Sequence, residues 1–526
     1  MLLVRARRVG AAFFALTLVI AGGSCSDSPP ASSRPIETTP DHLMVLVFDQ
    51  MRPDYIERFG MRNFQQLRAS SRDYPEAYVG HLGSQTVVSH LVISTGLLPK
   101  AFPWQDDVVL DRVGTLGRPG AAYETGRLTR EQFWTLLKPF PPATYLPERV
   151  RQKSGRKVIA IGEKDYAALM LGTPSADAIV TLAKVSGRCN PTGVSVPDYI
   201  ASNPRFALDC TETYGTGLST LYSLDGSRYV PGNDPAHLGG DTWTADAALE
   251  VMAREDWAGL FLTFGGIDKV AHMLGEQDGD GLRSIPSAYR LADVAKIADE
   301  QLGRLLHALK SRDLLERTLI VVTADHGGQK NEFYLGNNKY QSCCALENAE
   351  AKVEPPYWIE HLKQLGKLQT SYQDTSVKIW LADRSVANEK AIVSGMADIS
   401  GMVEIYALRE SNGRWRYERV SSRLGEQTAA FRSWADRHHA ELLDTMACEA
   451  APHLVGLLAD GFGFGRIGDH GGAQERVQRI PLIIRVPGEG GSVRNDPLRL
   501  VDIDAQVTQL MRLQPAQASA RSSQEK

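Results

Sequence analysis

Acidic and imidazole side chains follow apolar runs at several places in this 526-residue chain. Carboxylate oxygens and imidazole nitrogens are ligands that zinc and similar divalent ions take in proteins. Two such ions a few ångströms apart can clamp the attacking and leaving oxygens of a displacement at phosphorus. The candidate ligands are Asp49 after the run 43–48, Asp268 and His272 after the run 259–264, Asp325 and His326 after the run 318–323, and the later His470.

The apolar runs that precede these residues have the length and the β-branched content of buried parallel strands. Open α/β sheets bind their ligands beyond the carboxyl ends of such strands. We therefore expect the candidate ligands to converge on one edge of a sheet. Asp268 and His272 are four positions apart, so both side chains would reach the same ion from one helical turn.

A nucleophile for such a site is Thr86. Apolar residues from Val88 to Thr95 recur every three or four positions, which predicts a helix that starts near Thr86. Free amide groups and the positive end of the helix dipole favour an anion at that place. Ser84 and Ser89 carry competing hydroxyl groups in the same segment.

Taken together and in this order, these motifs resemble the alkaline phosphatase superfamily. The resemblance is to its type I phosphodiesterase/nucleotide pyrophosphatase branch and to the related bacterial phosphate-irrepressible alkaline phosphatases, and it extends from about residue 42 to about residue 487. The matching segments are Val-Phe-Asp49-Gln-Met-Arg-Pro-Asp-Tyr, the Thr86 segment ending in Ser-Thr-Gly-Leu-Leu-Pro99, Asp268-Lys-Val-Ala-His272-Met-Leu-Gly, Thr-Ala-Asp325-His326-Gly-Gly and Gly-Asp-His470-Gly-Gly.

This resemblance implies an α/β fold with an alkaline-phosphatase-like, mostly parallel central sheet that is flanked by helices and carries a smaller inserted cap. It implies hydrolysis of phosphoesters through a phospho-threonine intermediate at Thr86. It also implies two divalent ions, Zn²⁺ in the first place, although manganese suits the same ligands. The implied ligands are Asp49, Thr86, Asp325 and His326 for one ion, and Asp268, His272 and His470 for the other.

Two positions depart from the family pattern and bear on the substrate. Asp107 stands where the family has an Asn that donates to phosphate, and a carboxylate about 5 Å from a phosphate oxygen would cost about 3 kcal/mol. Asp107 would then be protonated or turned away, or would meet a cationic substrate group, or Gln105 would donate instead.

The second departure concerns Lys164 and Tyr166, which align with a Lys-Asp-Arg segment of the family. Tyr166 offers one neutral hydrogen bond where the arginine of that segment would bind phosphate through two. Asp107, Lys164 and Tyr166 are the predicted substrate-binding residues, with weakened monoester binding.

The N-terminus has the pattern of an export signal, with arginines followed by the apolar stretch Val9 to Ala21. We expect a periplasmic protein, or a lipoprotein anchored to a membrane surface through Cys25, although Gly22 makes the lipid-attachment motif imperfect. The predicted organisation is a signal peptide at 1–24, a Ser/Pro-rich linker at 25–40, a catalytic core at 41–345 that returns at 425–510, an inserted cap at 346–424 and a flexible tail at 511–526.

Charge and cysteine content narrow the function further. A net charge of -4 without a basic stripe argues against a nucleic-acid polymer as partner. A small phosphoester is the predicted partner, and the oligomeric state stays open. Cys189 and Cys210 are close enough in sequence to form a disulfide, while Cys343, Cys344 and Cys448 allow one more bridge and one free thiol. The Cys189 segment lacks the Arg of the sulfatase signature, which argues against a formylglycine sulfatase.

Two other functions would use the same residues. A transferase would pass the phosphoryl group from Thr86 to a sugar or lipid alcohol instead of to water. A pseudoenzyme would bind metal and ligand without turnover, and the unusual Asp107 keeps that alternative open. The two alternatives differ from a hydrolase in the product formed from a simple phosphate ester.

Overall fold

The structure is a computed structural model. In the described part of the chain, Cys189 is disulfide-bonded and Cys448 is a free thiol. The predicted signal peptide, the candidate lipid site Cys25 and the cysteines Cys210, Cys343 and Cys344 lie outside the described part of the chain. No helix within the described part has both the length and the apolar character needed to cross a bilayer. The structure describes residues 39–185, 188–209, 240–274, 291–334, 352–353, 368–464 and 468–517.

A ten-stranded sheet lies at the centre of the fold. Its five middle strands run parallel, and antiparallel strands lie toward both edges. This arrangement confirms the predicted α/β class and the mostly parallel central sheet. In spatial order the strands are Ser492–Val493, Arg72–Asp73, Leu482–Arg485, Thr318–Thr323, His42–Phe48, Trp257–Phe264, Lys157–Gly162, Ala178–Val185, Arg188–Val194 and Leu208–Asp209.

The three apolar runs that precede candidate ligands are adjacent strands of this sheet. His42–Phe48 lies in the middle, with Thr318–Thr323 on one side and Trp257–Phe264 on the other. The pairing aligns Val47 with Thr323 and Phe48 with Phe264. Because the carboxyl ends are level to within about one residue, the segments that follow all begin at the same edge.

Helices flank the central sheet. The helix that begins at Thr86 is buried along its whole length and packs against the helices Asp165–Gly172 and Leu500–Met511. The α-helices in the described part are Tyr55–Arg58, Arg62–Ala69, Thr86–Thr95, Arg130–Leu137, Leu146–Ser154, Asp165–Gly172, Asp198–Ala201, Asp241–Arg254, Gly266–Leu274, Leu291–Ser311, Val386–Ala397, Ala429–Asp444, Glu475–Gln478 and Leu500–Met511.

A second, five-stranded antiparallel sheet takes most of its strands from the predicted cap. The prediction placed the return to the core at residue 425, whereas the middle strand of this second sheet is Leu454–Leu458. The sequence of a five-residue apolar run does not indicate which sheet the strand joins. The place where the chain leaves the second sheet could therefore not be predicted. In spatial order the strands are Leu368–Gln373, Ser376–Leu381, Leu454–Leu458, Met402–Ser411 and Arg414–Ser422.

Candidate metal centre and nucleophile

A first cluster of predicted ligands forms at the carboxyl ends of two adjacent strands. One ligand atom each of Asp49, Asp325 and His326 lies within 4.8 Å of the other two. Nε2 of His326 is 3.5 Å from Oδ1 of Asp49 and 3.3 Å from Oδ2 of Asp325. The hydroxyl oxygen of Thr86 lies 3.4 Å from the same nitrogen. The structure therefore brings together all four residues that were predicted to surround one ion.

Hydrogen bonds to the backbone orient these side chains. Oδ1 of Asp325 accepts from the N–H groups of Gln50 and His326, at 3.1 and 2.9 Å. Nδ1 of His326 lies 3.0 Å from the carbonyl oxygen of Gly327, and this contact orients the ring so that Nε2 is directed toward Asp49 and Asp325. Oδ1 of Asp49 and Oδ2 of Asp325 are buried without a hydrogen-bond partner among the described residues. Orphaned oxygens beside an oriented imidazole are the donor set that a divalent cation requires.

The second set of predicted ligands forms an adjoining cluster. Asp268 and His272 both lie on the helix Gly266–Leu274, and Nε2 of His272 is 2.9 Å from Oδ1 of Asp268. Nε2 of His470 lies 3.1 Å from Nε2 of His272 and 3.6 Å from Oδ1 of Asp268. The spacing of four residues does place the two helix side chains on one turn, as the sequence predicts.

Three possible ligand atoms lie close together in this second cluster. Nδ1 of His272 lies 2.6 Å from the carbonyl oxygen of Gly468, and Nδ1 of His470 lies 3.1 Å from that of Ser84. These contacts leave both Nε2 atoms directed toward Oδ1 of Asp268, at 2.9 Å for His272 and 3.6 Å for His470. Burial and the neighbouring His326 hold the pKa of His470 well below its usual range, so this ring is neutral. A carboxylate oxygen and two imidazole nitrogens at these distances are a donor set that fits a metal ion.

The two clusters adjoin through their histidines. The rings of His326 and His470 stack with their centroids 3.7 Å apart. Asp469, which the sequence analysis did not select, joins His272 and His470 in a further group of possible ligands. Its position directly before His470 was the only available signal, since Asp469 follows no long apolar run.

Lys164 occupies a place between the clusters. It follows the parallel strand Lys157–Gly162, and its ammonium group lies 2.5 Å from a carboxylate oxygen of both Asp49 and Asp268. Its side chain is 4% exposed. The structure shows Lys164 bridging one acidic residue of each cluster, and its role in substrate binding stays a prediction.

The electrostatics of these buried groups are dominated by negative charge. Burial raises the pKa of Asp49 to about 7, and the carboxylates of Asp268 and Asp325 contribute to the rise. Burial lowers the pKa of Lys164, but Asp268 and Asp49 outweigh that effect and raise it well above its usual value. Lys164 contacts two of these carboxylates, and a divalent cation would further stabilise the ionised form of Asp49.

Asp107 is held by hydroxyl groups. Its Oδ1 accepts from the hydroxyl of Thr125, and its Oδ2 accepts from that of Tyr372 at 3.1 Å. The side-chain amide of Gln105, which was the alternative donor, is bonded to the carbonyl oxygen of Phe102 at 2.9 Å. Neither side chain has a hydrogen bond to a predicted metal ligand among the described contacts. Their roles in substrate binding stay predictions.

Tyr166 lies in the first turn of the helix Asp165–Gly172 and is partly buried. It is close enough to Lys164 to act on the charge of that residue. Both residues therefore lie just after the parallel strand that precedes them, and the substrate-binding role of Tyr166 stays a prediction.

The helix Thr86–Thr95 places Thr86 at its first position, as predicted. The hydroxyl groups of Ser84 and Ser89, the two alternative nucleophiles, contact other groups. The hydroxyl of Ser84 lies 3.3 Å from a backbone carbonyl oxygen, and that of Ser89 lies 3.4 Å from Nε2 of His81. Of these three hydroxyl groups, the one on Thr86 is the group that contacts a predicted ligand.

The fold agrees with comparisons to known proteins. Residues 43–426 match the family of type I phosphodiesterases and nucleotide pyrophosphatases. That match covers most of the chain, so the protein belongs to this family, which is a branch of the alkaline phosphatase superfamily. A curated relative, alkaline phosphatase PhoK of Sphingomonas sp, is 25% identical over 347 residues. The alignment covers 56% of this chain and 57% of PhoK, so the chain spans little more than half of that relative.

Solved structures show the same fold. Wild-type alkaline phosphatase PafA matches with a TM-score of 0.62 and 14% identity, over 91% of this chain and 96% of that chain. Murine ectonucleotide pyrophosphatase/phosphodiesterase 5 matches with a TM-score of 0.54 and 12% identity, over 92% of this chain and 99% of that one. An inactive Thr→Ala variant of the murine protein was solved in complex with AMP.

Proposed function

We propose that this protein is an exported phosphoester hydrolase that requires two divalent ions, Zn²⁺ in the first place, and transfers a phosphoryl group to Thr86 before water removes it. The observation that carries the proposal is the contact of the Thr86 hydroxyl with His326, whose Nε2 lies beside two buried carboxylate oxygens that have no hydrogen-bond partner among the described residues. Family membership supports the reaction class.

In the proposed first step, the hydroxyl oxygen of Thr86 forms a bond to phosphorus as the bond to the leaving oxygen breaks. Two bound divalent ions would supply positive charge that lowers the pKa of the threonine hydroxyl and stabilises the leaving oxygen. The backbone amides at the start of the Thr86 helix would bind the non-reacting oxygens. In the second step water attacks phosphorus, the bond to Thr86 breaks, and the hydroxyl is restored.

The side chains that would hold the ions are those with an oriented or unpartnered donor atom. Lys164 keeps Asp49 and Asp268 at a fixed separation by contacting both. Asp469 is a further candidate beside the second group. The proposed ligands are Asp49, Thr86, Asp325 and His326 for one ion, and Asp268, His272 and His470 for the other.

The experiment that tests the proposal compares turnover of an aryl phosphomonoester, an aryl phosphodiester and a phosphocholine ester by the zinc-loaded protein. The murine relative bound to AMP makes a nucleotide ester a sensible fourth substrate. Hydrolysis of at least one ester supports the proposal, while transfer to an added alcohol in preference to water would favour a transferase. Failure on all of them would favour a binding protein without turnover.

Tyr166 offers a test of substrate class, because it replaces an arginine of the family pattern. We expect Tyr166→Arg to raise the ratio of monoester to diester kcat/KM about tenfold, since a guanidinium can bind a second phosphate charge through two hydrogen bonds. Tyr166→Phe is the matched control that removes the hydroxyl without adding charge, and it should leave the ratio nearly unchanged. An unaltered ratio in Tyr166→Arg would mean that this position does not face the phosphate.

Export and lipid attachment are proposed from the N-terminal sequence alone. We expect the mature protein in the periplasm or in the membrane fraction when it is expressed in a bacterium with a double membrane. Cys25→Ser would move a lipoprotein from the membrane fraction to the soluble periplasmic fraction, and an unlipidated protein would be soluble in both forms. Recovery of both proteins in the cytoplasm would contradict export.

A further inference from the structure

A buried ion cluster joins the inserted sheet to the catalytic edge of the central sheet. Lys378 lies in the strand Ser376–Leu381 of the inserted sheet. Its ammonium nitrogen is 2.7 Å from a carboxylate oxygen of Asp106 and 2.8 Å from one of Asp374. None of these three side chains is more than 3% exposed. Charged groups are rarely buried so completely unless each is paired.

Asp374 connects this cluster to the residue that precedes the nucleophile. Its Oδ2 accepts from the side-chain amide of Gln85 at 2.6 Å and from Lys378. Its Oδ1 accepts from the backbone N–H of Ser376 at 2.7 Å. Gln85 is the N-cap residue of the helix that starts at Thr86. The turn between two strands of the inserted sheet is therefore hydrogen-bonded to the start of the helix that carries the proposed nucleophile.

The same turn and the strand after it also form hydrogen bonds to the loop that carries His470. Lys378 donates its remaining hydrogen bond to the carbonyl oxygen of Gly471 at 2.8 Å. The backbone N–H of Thr375 donates to the carbonyl oxygen of His470 at 3.3 Å. With Asp106, Asp374 and Gly471, all three donor positions of the lysine are used. The loop after the strand at 468–469 is thus fixed from the side of the inserted sheet.

Gly471 shows how closely these groups pack. Its φ is +93°, and a Cβ added there would lie 2.0 Å from Oδ2 of Asp374 and 2.2 Å from Nε2 of Gln85. Both the backbone angle and the lack of space require glycine. The hydrogen bond between Gln85 and Asp374 therefore rests directly on the backbone that follows His470.

We propose that Asp374 is a positioning residue of the phosphoester site, and that it fixes Thr86 through Gln85 and His470 through Lys378 and the Gly471 backbone. This inference rests on the proposed function and deepens it. It gives the inserted sheet a part in the reaction itself, because the relative position of nucleophile and metal ligand depends on Asp374, in the turn between two of its strands. Such alignment matters, since a displacement of about 1 Å can lower the rate about a hundredfold.

The main test is Asp374→Asn. Both carboxylate oxygens of Asp374 accept hydrogen bonds from fixed donors, whereas an asparagine has only one acceptor oxygen and turns an N–H₂ group toward donors on the other side. We expect kcat on an aryl phosphate ester to fall about tenfold to a hundredfold, with KM within about threefold of wild type. We also expect zinc affinity, measured by competition with a chromophoric chelator, to fall about tenfold through His470.

Gln85→Ala separates a positioning role from a folding defect. It removes the amide that links Asp374 to the Thr86 helix and leaves Lys378 paired. If the two residues act through one hydrogen bond, the double variant should be no slower than Asp374→Asn, and the single effects should not add. The matched control is Gln369→Ala in the neighbouring strand. This variant loses an exposed 3.1 Å hydrogen bond from the Gln369 side chain to the carbonyl oxygen of Gly120. Its kcat should stay within about twofold of wild type.

The outcomes separate this inference from the proposed function. An active wild type with unchanged kcat and zinc affinity in both Asp374→Asn and Gln85→Ala would overturn the positioning role alone. Additive losses, or losses explained wholly by a smaller folded fraction in thermal unfolding, would also overturn it. A wild type that turns over no ester and binds no zinc would overturn the proposed function, and the positioning role with it.

Discussion

Thr86→Ala is expected to lower kcat on every ester that the wild type hydrolyses by on the order of 10⁴-fold or more. The hydroxyl of Thr86 lies 3.4 Å from Nε2 of His326, at the buried first position of a helix. Without that oxygen no covalent intermediate forms, and only the electrostatic part of the site remains. Zinc content should fall by less than one ion per chain, because Thr86 is one ligand among several.

Matched variants make this result specific. Thr86→Ser keeps the hydroxyl and should retain much of the activity, whereas Ser84→Ala and Ser89→Ala remove hydroxyls that contact other groups and should act like wild type. Mass spectrometry of acid-quenched wild type during turnover should find a phosphoryl group on the peptide that contains Thr86. Loss of activity in Ser84→Ala or Ser89→Ala, with an active Thr86→Ala, would show that the nucleophile was assigned wrongly.

The parallel strands and the convergence of ligands could be predicted from the sequence. Runs such as 43–48 and 318–323 are apolar at every position because both faces of a central parallel strand are covered. Once the strands are adjacent and level, the residues that follow them must meet, which is what Asp49 and Asp325 do. The start of a helix at Thr86 followed from a local pattern, since helix spacing is set by nearby residues.

Contacts between distant segments could not be predicted in the same way. The direction of Asp107 depends on Thr125 and on Tyr372 of the inserted sheet, and no local pattern links these positions. Lys164 was placed correctly at the end of a strand, but its contact with two acidic residues depends on a neighbouring helix. The hydrogen bond from Gln85 to Asp374 spans 289 positions and was not foreseen.

Removal of divalent ions is the second change with a large expected effect. The wild type should contain about two zinc ions per chain and lose nearly all activity after dialysis against a chelator. Added zinc should restore activity, because Asp49, Asp268 and Asp325 are buried close to their histidines and burial raises the pKa of Asp49 to about 7, so its carboxylate needs further positive charge. Zinc should also raise the Tm, since zinc at about 1,000 times its Kd adds about 4 kcal/mol to the free energy of unfolding.

Histidine variants show whether the ions occupy the proposed sites. His272→Ala and His470→Ala each remove an Nε2 atom from the second cluster and should lose about one zinc ion per chain. His439→Gln is the control, since that buried histidine is hydrogen-bonded to Glu404 at 2.7 Å and belongs to neither cluster. It should keep both ions even where it lowers the Tm. Active wild type with one ion or none, or equal zinc loss in all three variants, would contradict two ions at these clusters, because binding would then not depend on the converging Nε2 atoms.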